Sequence, residues 1–286
     1  MRLLAVSGAA VALCIVFAGC GDDSVTAPPA DRATAQSSEP APAPDISSPV
    51  AEHTPAGAVF DRDDHDGDRG DRGRLHTYRV TLINRSASQP ISPPVVATHR
   101  RSVHVFRRGR LASSALEELA ENGNQVPLVE WLQGARGVTD VVDVGMPLTR
   151  RGTTVGSFAD RVTVTIRAHT GDRISVAGML ICSNDGFAGL DGAKLPRRGW
   201  CVYRARAWDA GTEQNTERSA DIVDACSALG PVALAGDPNG NENDAVDMTP
   251  HRPVRRHPGI MGGADLSPDV HGFRNRIIKV VVQRMQ

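Results

Sequence analysis

After residue 20 the sequence contains no apolar run approaching the roughly 18 residues that a membrane-spanning helix needs, so none is expected beyond the N-terminus. Lysine is nearly absent, since 30 of the 32 basic residues are arginine. Net charge is nearly absent too, at −1, which argues against electrostatic capture of nucleic acid by the chain as a whole. There is no Gly-x-Ser-x-Gly elbow, His-Glu-x-x-His, Cys-x-x-Cys or glycine-rich phosphate loop. The enzyme classes those motifs define are therefore unsupported, and the chain reads as a non-enzyme. Paired carboxylates for hydrolysis stay open, because their spacing is set in three dimensions.

What is present begins with an export signal. Arg2 is a short basic region, Leu3 to Phe17 is apolar, and Ala18-Gly19 precede Cys20. This ending resembles a bacterial lipobox, with Phe17 in place of the usual leucine. The resemblance implies cleavage before Cys20, lipid on its sulfur, and a mature chain held at the membrane by several acyl chains. An ordinary signal peptide or a retained anchor are the alternatives. Gly21 supplies no aspartate-type inner-membrane retention cue, which favours the outer membrane or the cell surface.

Residues 20–74 are rich in Pro, Ala, Ser and Asp and carry few large apolar side chains, so they cannot offset their ordering entropy and read as a disordered spacer. Within them, Asp61 to Asp68 mimics a calcium loop. Setting Gly67 as its turn glycine puts Arg62 and Gly73 at the first and last ligand positions, where neither can serve. The folded domain is expected over residues 75–286, with residues 1–19 as the signal.

Tyr78, Val80 and Leu82 alternate with polar neighbours, as do Val162, Val164 and Ile166, and Ile278, Val280 and Val282. That is the period of half-buried strands. Further strands are expected at Ser102–Arg107, Arg173–Cys182 and Trp200–Trp208. Two short helices interrupt them, Ala115–Glu121 behind a capping box opening at Ser114, and Leu128–Gln133 behind Pro127. Strands spaced by Gly and Pro turns without βαβ alternation predict an all-β, antiparallel β-sandwich, with a closed barrel as the competitor. Of the three cysteines beyond Cys20, Cys182 falls on the inward face of its strand, which leaves Cys201 and Cys226 as the expected disulfide.

Two acidic segments, Asn184-Asp185-Gly186-Phe187 and Asp209-Ala210-Gly211-Thr212-Glu213, concentrate the side-chain oxygens that a hard cation takes. The same residues also suit plain turn chemistry, with Asp accepting backbone N–H bonds and Gly supplying positive φ. A further oxygen-dense turn, Asn239 to Asn243, offers Asn239, Asn241, Glu242 and Asn243 beside Asn184 as a possible binding loop. Arg252-Pro-Val-Arg-Arg256, flanked by His251 and His257, suits lipid headgroups or anionic glycans, or is a solvated loop.

The order-preserving succession Tyr78 to Asn84, Gln89-Pro90-Ile91-Ser92-Pro93-Pro94, Gly178-Met179-Leu180, Asn184 to Phe187 and Trp208 to Glu213 resembles the spondin N-terminal domain in its bacterial form. The resemblance runs from about Leu75 to the end. It implies an antiparallel β-sandwich with a calcium site, in a family whose animal members are secreted adhesion proteins. By position the implied calcium ligands are Asp185, Asp209 and Glu213. Asn184 and Gly186 replace the proline and tryptophan that usually flank the first ligand, and Glu213 replaces an aspartate.

These readings make the chain an exported, lipid-anchored, calcium-assisted binding or adhesion module of the cell envelope. Its partner would be a protein, glycan or envelope component. The alternatives are an exported metal-dependent hydrolase and a structural envelope protein without metal.

Overall fold

A computed structural model describes residues 73–236 and 246–285, so Cys20, most of the spacer and the Asn239–Asn243 turn lie outside the described residues. The described chain runs β1 (Leu75–Asn84), β2 (Val95–His99), α1 (Ser114–Asn122), α2 (Val126–Gly134), β3 (Val138–Asp143) and the two-residue strands β4 (Thr154–Val155) and β5 (Phe158–Ala159). It continues through β6 (Arg161–His169), β7 (Arg173–Met179), β8 (Gly186–Lys194), β9 (Trp200–Asp209), α3 (Ala225–Leu229), β10 (Arg255–Arg256), α4 (Pro268–His271) and β11 (Arg276–Arg284).

One antiparallel sheet in the order β3-β2-β7-β8-β9-β11-β1-β6 dominates, with β10 added to β9. The fold is all-β, built on this one curled, nearly barrel-like sheet. The sheet bends until its edge strands meet. Thr98 on β2 donates to the Arg167 carbonyl, and Asp140 on β3 accepts from the Arg167 amide at 2.8 Å. Side chains of β2 and β3 thus reach β6 where no backbone ladder does, and they cover edges that would otherwise recruit another strand.

Alternation decides what fills the interior. Tyr78, Val80 and Leu82 of β1 face inward with Ile166, Ile174, Val176, Ala205, Ala207, Val280 and Val282. Each large side chain taken fully out of water contributes about 1.5–3 kcal/mol. The strand β2 is buried along its whole length, so it lacks alternation, because α1 and α2 cover its outer side. Ser113 caps α1, its hydroxyl accepting from the Leu116 amide, and Gly123 closes it at φ 67°. The cap therefore lies one residue before the Ser114 expected from the sequence.

Two expectations need correction. Ser102–Arg107 is a loop, in which Val103 and Val105 alternate with polar neighbours in sequence but the buried residues are the consecutive pair Val105 and Phe106, packed with the helices. The disulfide joins Cys182 to Cys226, not Cys201 to Cys226. Cys182 is inward-facing as expected, but Cys226 on α3 is buried in the same apolar cluster, and a disulfide is as compatible with that core as a thiol. Cys201 on β9 is free.

Asn84 and Gln89, both within the spondin-like succession, close one end of the sheet. The Asn84 amide donates to the carbonyls of Gln89 and Thr149, at 2.7 and 3.0 Å. Gln89 donates to the Cys182 and His271 carbonyls and accepts from the Cys182 amide. Both hydrogen-bonding groups of each side chain are used, so these two buried amides fix the path of the chain leading into Asn184-Asp185.

Candidate metal centre

The pairing of β8 with β9 sets Gly186 opposite Asp209, which brings Asp185 and Asp209 to the same end of the sheet. The Asp185 carbonyl accepts from Ala210, and its Oδ2 accepts from the amides of Gly211, Thr212 and Glu213 at 2.6, 3.0 and 3.4 Å. The Asp209–Glu213 turn is thus wrapped round a carboxylate, a concave arrangement of N–H groups suited to an anion. Gly211 makes it possible: its φ is 79°, and a Cβ there would lie 2.2 Å from the Arg252 carbonyl oxygen. Gly186 is needed for a similar reason, since its Cβ would meet Ser183 Oγ at 2.4 Å and the His257 ring at 3.0 Å.

Turn chemistry uses only half of this acid. Asp185 Oδ1 has no hydrogen-bond partner, although Asp185 is fully buried. Asp209 repeats the pattern: Oδ2 accepts from Asn215 at 2.9 Å and from the Arg255 guanidinium at 3.0 Å, while buried Oδ1 has no partner. Glu213 is the extreme case, at 0% exposure with neither carboxylate oxygen partnered. A buried polar group left unpaired costs on the order of 1–3 kcal/mol, more for a charge.

Two further acids complete the cluster. Glu121 ends the last full turn of α1, and Asp247 bridges to Glu213. One oxygen each from Glu121, Glu213 and Asp247 lie within 4.8 Å of one another. Burial pushes Glu213 up to about 9, reinforced by Glu121, Asp185 and Asp247. Burial likewise pushes Glu121 up to about 8, opposed by the Thr212 hydroxyl and reinforced by Glu117, Asp247 and Asp185. Asp185 is raised to about 6 by burial and then by Asp209, against the pull of the three amides.

These couplings rank the sequence-derived ligands. Asp185, Asp209 and Glu213 all sit in one carboxylate cluster, but the tightest group is Glu121, Glu213 and Asp247. Asp185 acts on both Glu121 and Glu213, whereas Asp209 acts on Asp185 and is partly neutralised by Arg255. The Asn184 side chain is hydrogen-bonded within the protein: its amide donates to Thr216 Oγ1 and the Asp221 carbonyl, and its Oδ1 accepts from the Glu217 amide. The side chain is committed to cross-linking two loops.

Glu121 had a signal that sequence reading passed over, because an acid in the last turn opposes the helix dipole and is a poor choice for stability alone. Asp247 had none beyond proximity to an acidic turn.

The donor set fits a hard divalent cation. Oxygens without hydrogen-bond partners, in groups whose ionisation is unfavourable in the absence of positive charge, match what calcium takes as ligands. A soft-metal site is not indicated, since the tight group is carboxylate throughout.

Residues 86–226 match the family model described as Spondin_N. No curated protein matches the chain.

Proposed function

Because the chain belongs to the Spondin_N family through residues 86–226, we propose that it is an exported, lipid-anchored binding module of the cell envelope whose loops are set by a calcium ion. In this reading Cys20 carries the lipid, residues 20–74 hold the domain away from the membrane, and the loops around the acidic cluster meet the partner.

The observation that carries the reading is Glu213, a fully buried acid with no partner for either oxygen, beside Glu121 and Asp247. Glu121, Glu213 and Asp247 would hold the ion, with Asp185 contributing through Oδ1. The ion supplies positive charge that lets these acids ionise together. It ties the end of α1 to the Asp209–Glu213 turn and to the segment at Asp247. The burial of Glu121 and Glu213, with Asp247 alone half-buried, favours this role over hydrolysis, because a reacting water and a substrate need wider access.

Thermal melting of the full chain with and without calcium tests the reading. For an affinity of 10⁻⁴ to 10⁻³ M, typical of extracellular modules, about 10 mM calcium adds roughly 1.4–2.7 kcal/mol and raises Tm by about 3–10 °C. An unchanged Tm would count against the ion. Metal-dependent turnover in a substrate screen would favour the hydrolase.

A further inference from the structure

The outward face of β9 and β11 sets cation against cation. The register places Arg206 directly opposite Arg276 and Arg204 directly opposite Lys279. Arg204 and Arg206 point outward because Ala205 and Ala207 between them are buried in the core. Like charges in directly opposed positions destabilise a sheet. No carboxylate relieves them: among the described residues, none of the four forms an ion pair.

The same surface continues into a cavity of about 500 Å³ lined by Arg107, Arg108, Arg204, Arg206, Trp208 and Arg256. Arg256 is held there in a fixed pose, its guanidinium 4.7 Å from the Trp208 ring centroid and its Nη1 donating to Asn275 Oδ1 at 2.7 Å. Desolvation first, then Arg206 and Arg108, makes its proton easier to lose than usual. Asp191 is the acid at this cavity, and it is already taken by His104, the Val105 amide and the Ser175 hydroxyl. The short strand β10 thus sends neighbouring arginines to opposite sides, Arg255 to Asp209 in the acidic cluster and Arg256 to the basic face.

We propose that this face binds an acidic polysaccharide through its carboxylate or sulfate groups. Successive cations on β9 are about 7 Å apart along the strand and about 5 Å from their partners on β11, a ladder suited to a repeating polyanion more than to one phosphate. Guanidinium forks pair with two oxygens of such groups at once. Trp200, which lies on the same outward side of β9 and is 67% exposed, offers a flat surface for a sugar ring at the far end of the ladder. One exposed aromatic is too little apolar area to insert into a bilayer. The preference for polysaccharide over nucleic acid rests on the exported location proposed above.

The test uses the full chain in EDTA, so that its outcome is independent of the calcium site. Heparin and polygalacturonate serve as sulfated and carboxylated probes, neutral dextran as the control, and phosphatidylglycerol vesicles and single-stranded oligothymidine as competing classes. The expected result is binding of both acidic polysaccharides, weakened at least about tenfold between roughly 50 and 200 mM salt. Arg206→Gln with Arg276→Gln weakens it at least about tenfold while leaving Tm unchanged or raised, since an opposed like-charge pair has gone. Should that variant fail to fold, Arg204→Gln with Lys279→Gln tests the adjacent pair. Unchanged affinity in a folded variant, equal retention on dextran, or tighter binding to vesicles or oligothymidine than to both polysaccharides overturns the proposal.

Discussion

Replacing Glu213 by Gln is expected to stabilise the protein in EDTA while removing its response to calcium. Without metal, burial and neighbouring carboxylates hold the Glu213 carboxyl at about 9, against about 4.5 in the unfolded chain. Between these values the native state keeps a proton that the unfolded state has released, so stability falls as pH rises through the window and is free of this cost below it. At about 1.4 kcal/mol for each pH unit above 4.5 the cost at pH 7 is about 3 kcal/mol, an upper bound because Glu121 titrates in the same cluster. Gln keeps the shape, does not titrate, and can donate to a Glu121 carboxyl oxygen. The variant should therefore melt up to about 6–12 °C above the parent in EDTA at pH 7, with a flatter pH profile, and show no calcium shift. Thermal melts from pH 5 to 9, each with EDTA and with calcium, read all three quantities. A variant that melts below the parent in EDTA, beside a parent whose Tm does not fall with pH, would refute the reasoning.

The scaffold and the ligands separate in other variants. Asp185→Asn should leave the protein as stable or more stable, by up to about 3 kcal/mol in EDTA at pH 8, because the acid is held at about 6 against 3.8 in the unfolded chain even with the three amides of the Asp209–Glu213 turn pulling it down; denaturant unfolding measures it. The Cys182–Cys226 bond closes a sequence separation of 44, so Cys226→Ser should cost about 4 kcal/mol on the chain-entropy account, whereas Cys201→Ser should change stability by less than about 0.5 kcal/mol. Cys20→Ser should move the expressed chain from the detergent-rich to the aqueous phase in a two-phase partition, and retention in detergent would contradict the lipid anchor.

Strands with one wet face were the legible part of this sequence. In β1, β6 and β11 the period of two survives because one side packs and the other meets water. The strand β2 is not legible because helices bury its outer side, and Ser102–Arg107 reads as a strand because a loop laid over a core also carries apolar side chains, here the consecutive Val105 and Phe106. The acidic site was half legible. Asp185, Asp209 and Glu213 lie on adjoining turns whose glycines announce tight geometry, but Glu121 reaches the cluster from a helix end 64 residues before Asp185 in sequence. Only the packing of α1 on the sheet brings it there. The basic face was invisible for the same reason, since the opposition of Arg206 to Arg276 exists only in the register of β9 with β11.

The most direct test of the central claim is a crystal structure of the protein grown in about 10 mM calcium. The account predicts one ion bound by oxygens of Glu121, Glu213 and Asp247, at about 2.3–2.6 Å. A cluster that keeps its acids together around water alone, or a calcium ion found only elsewhere on the domain, would contradict it.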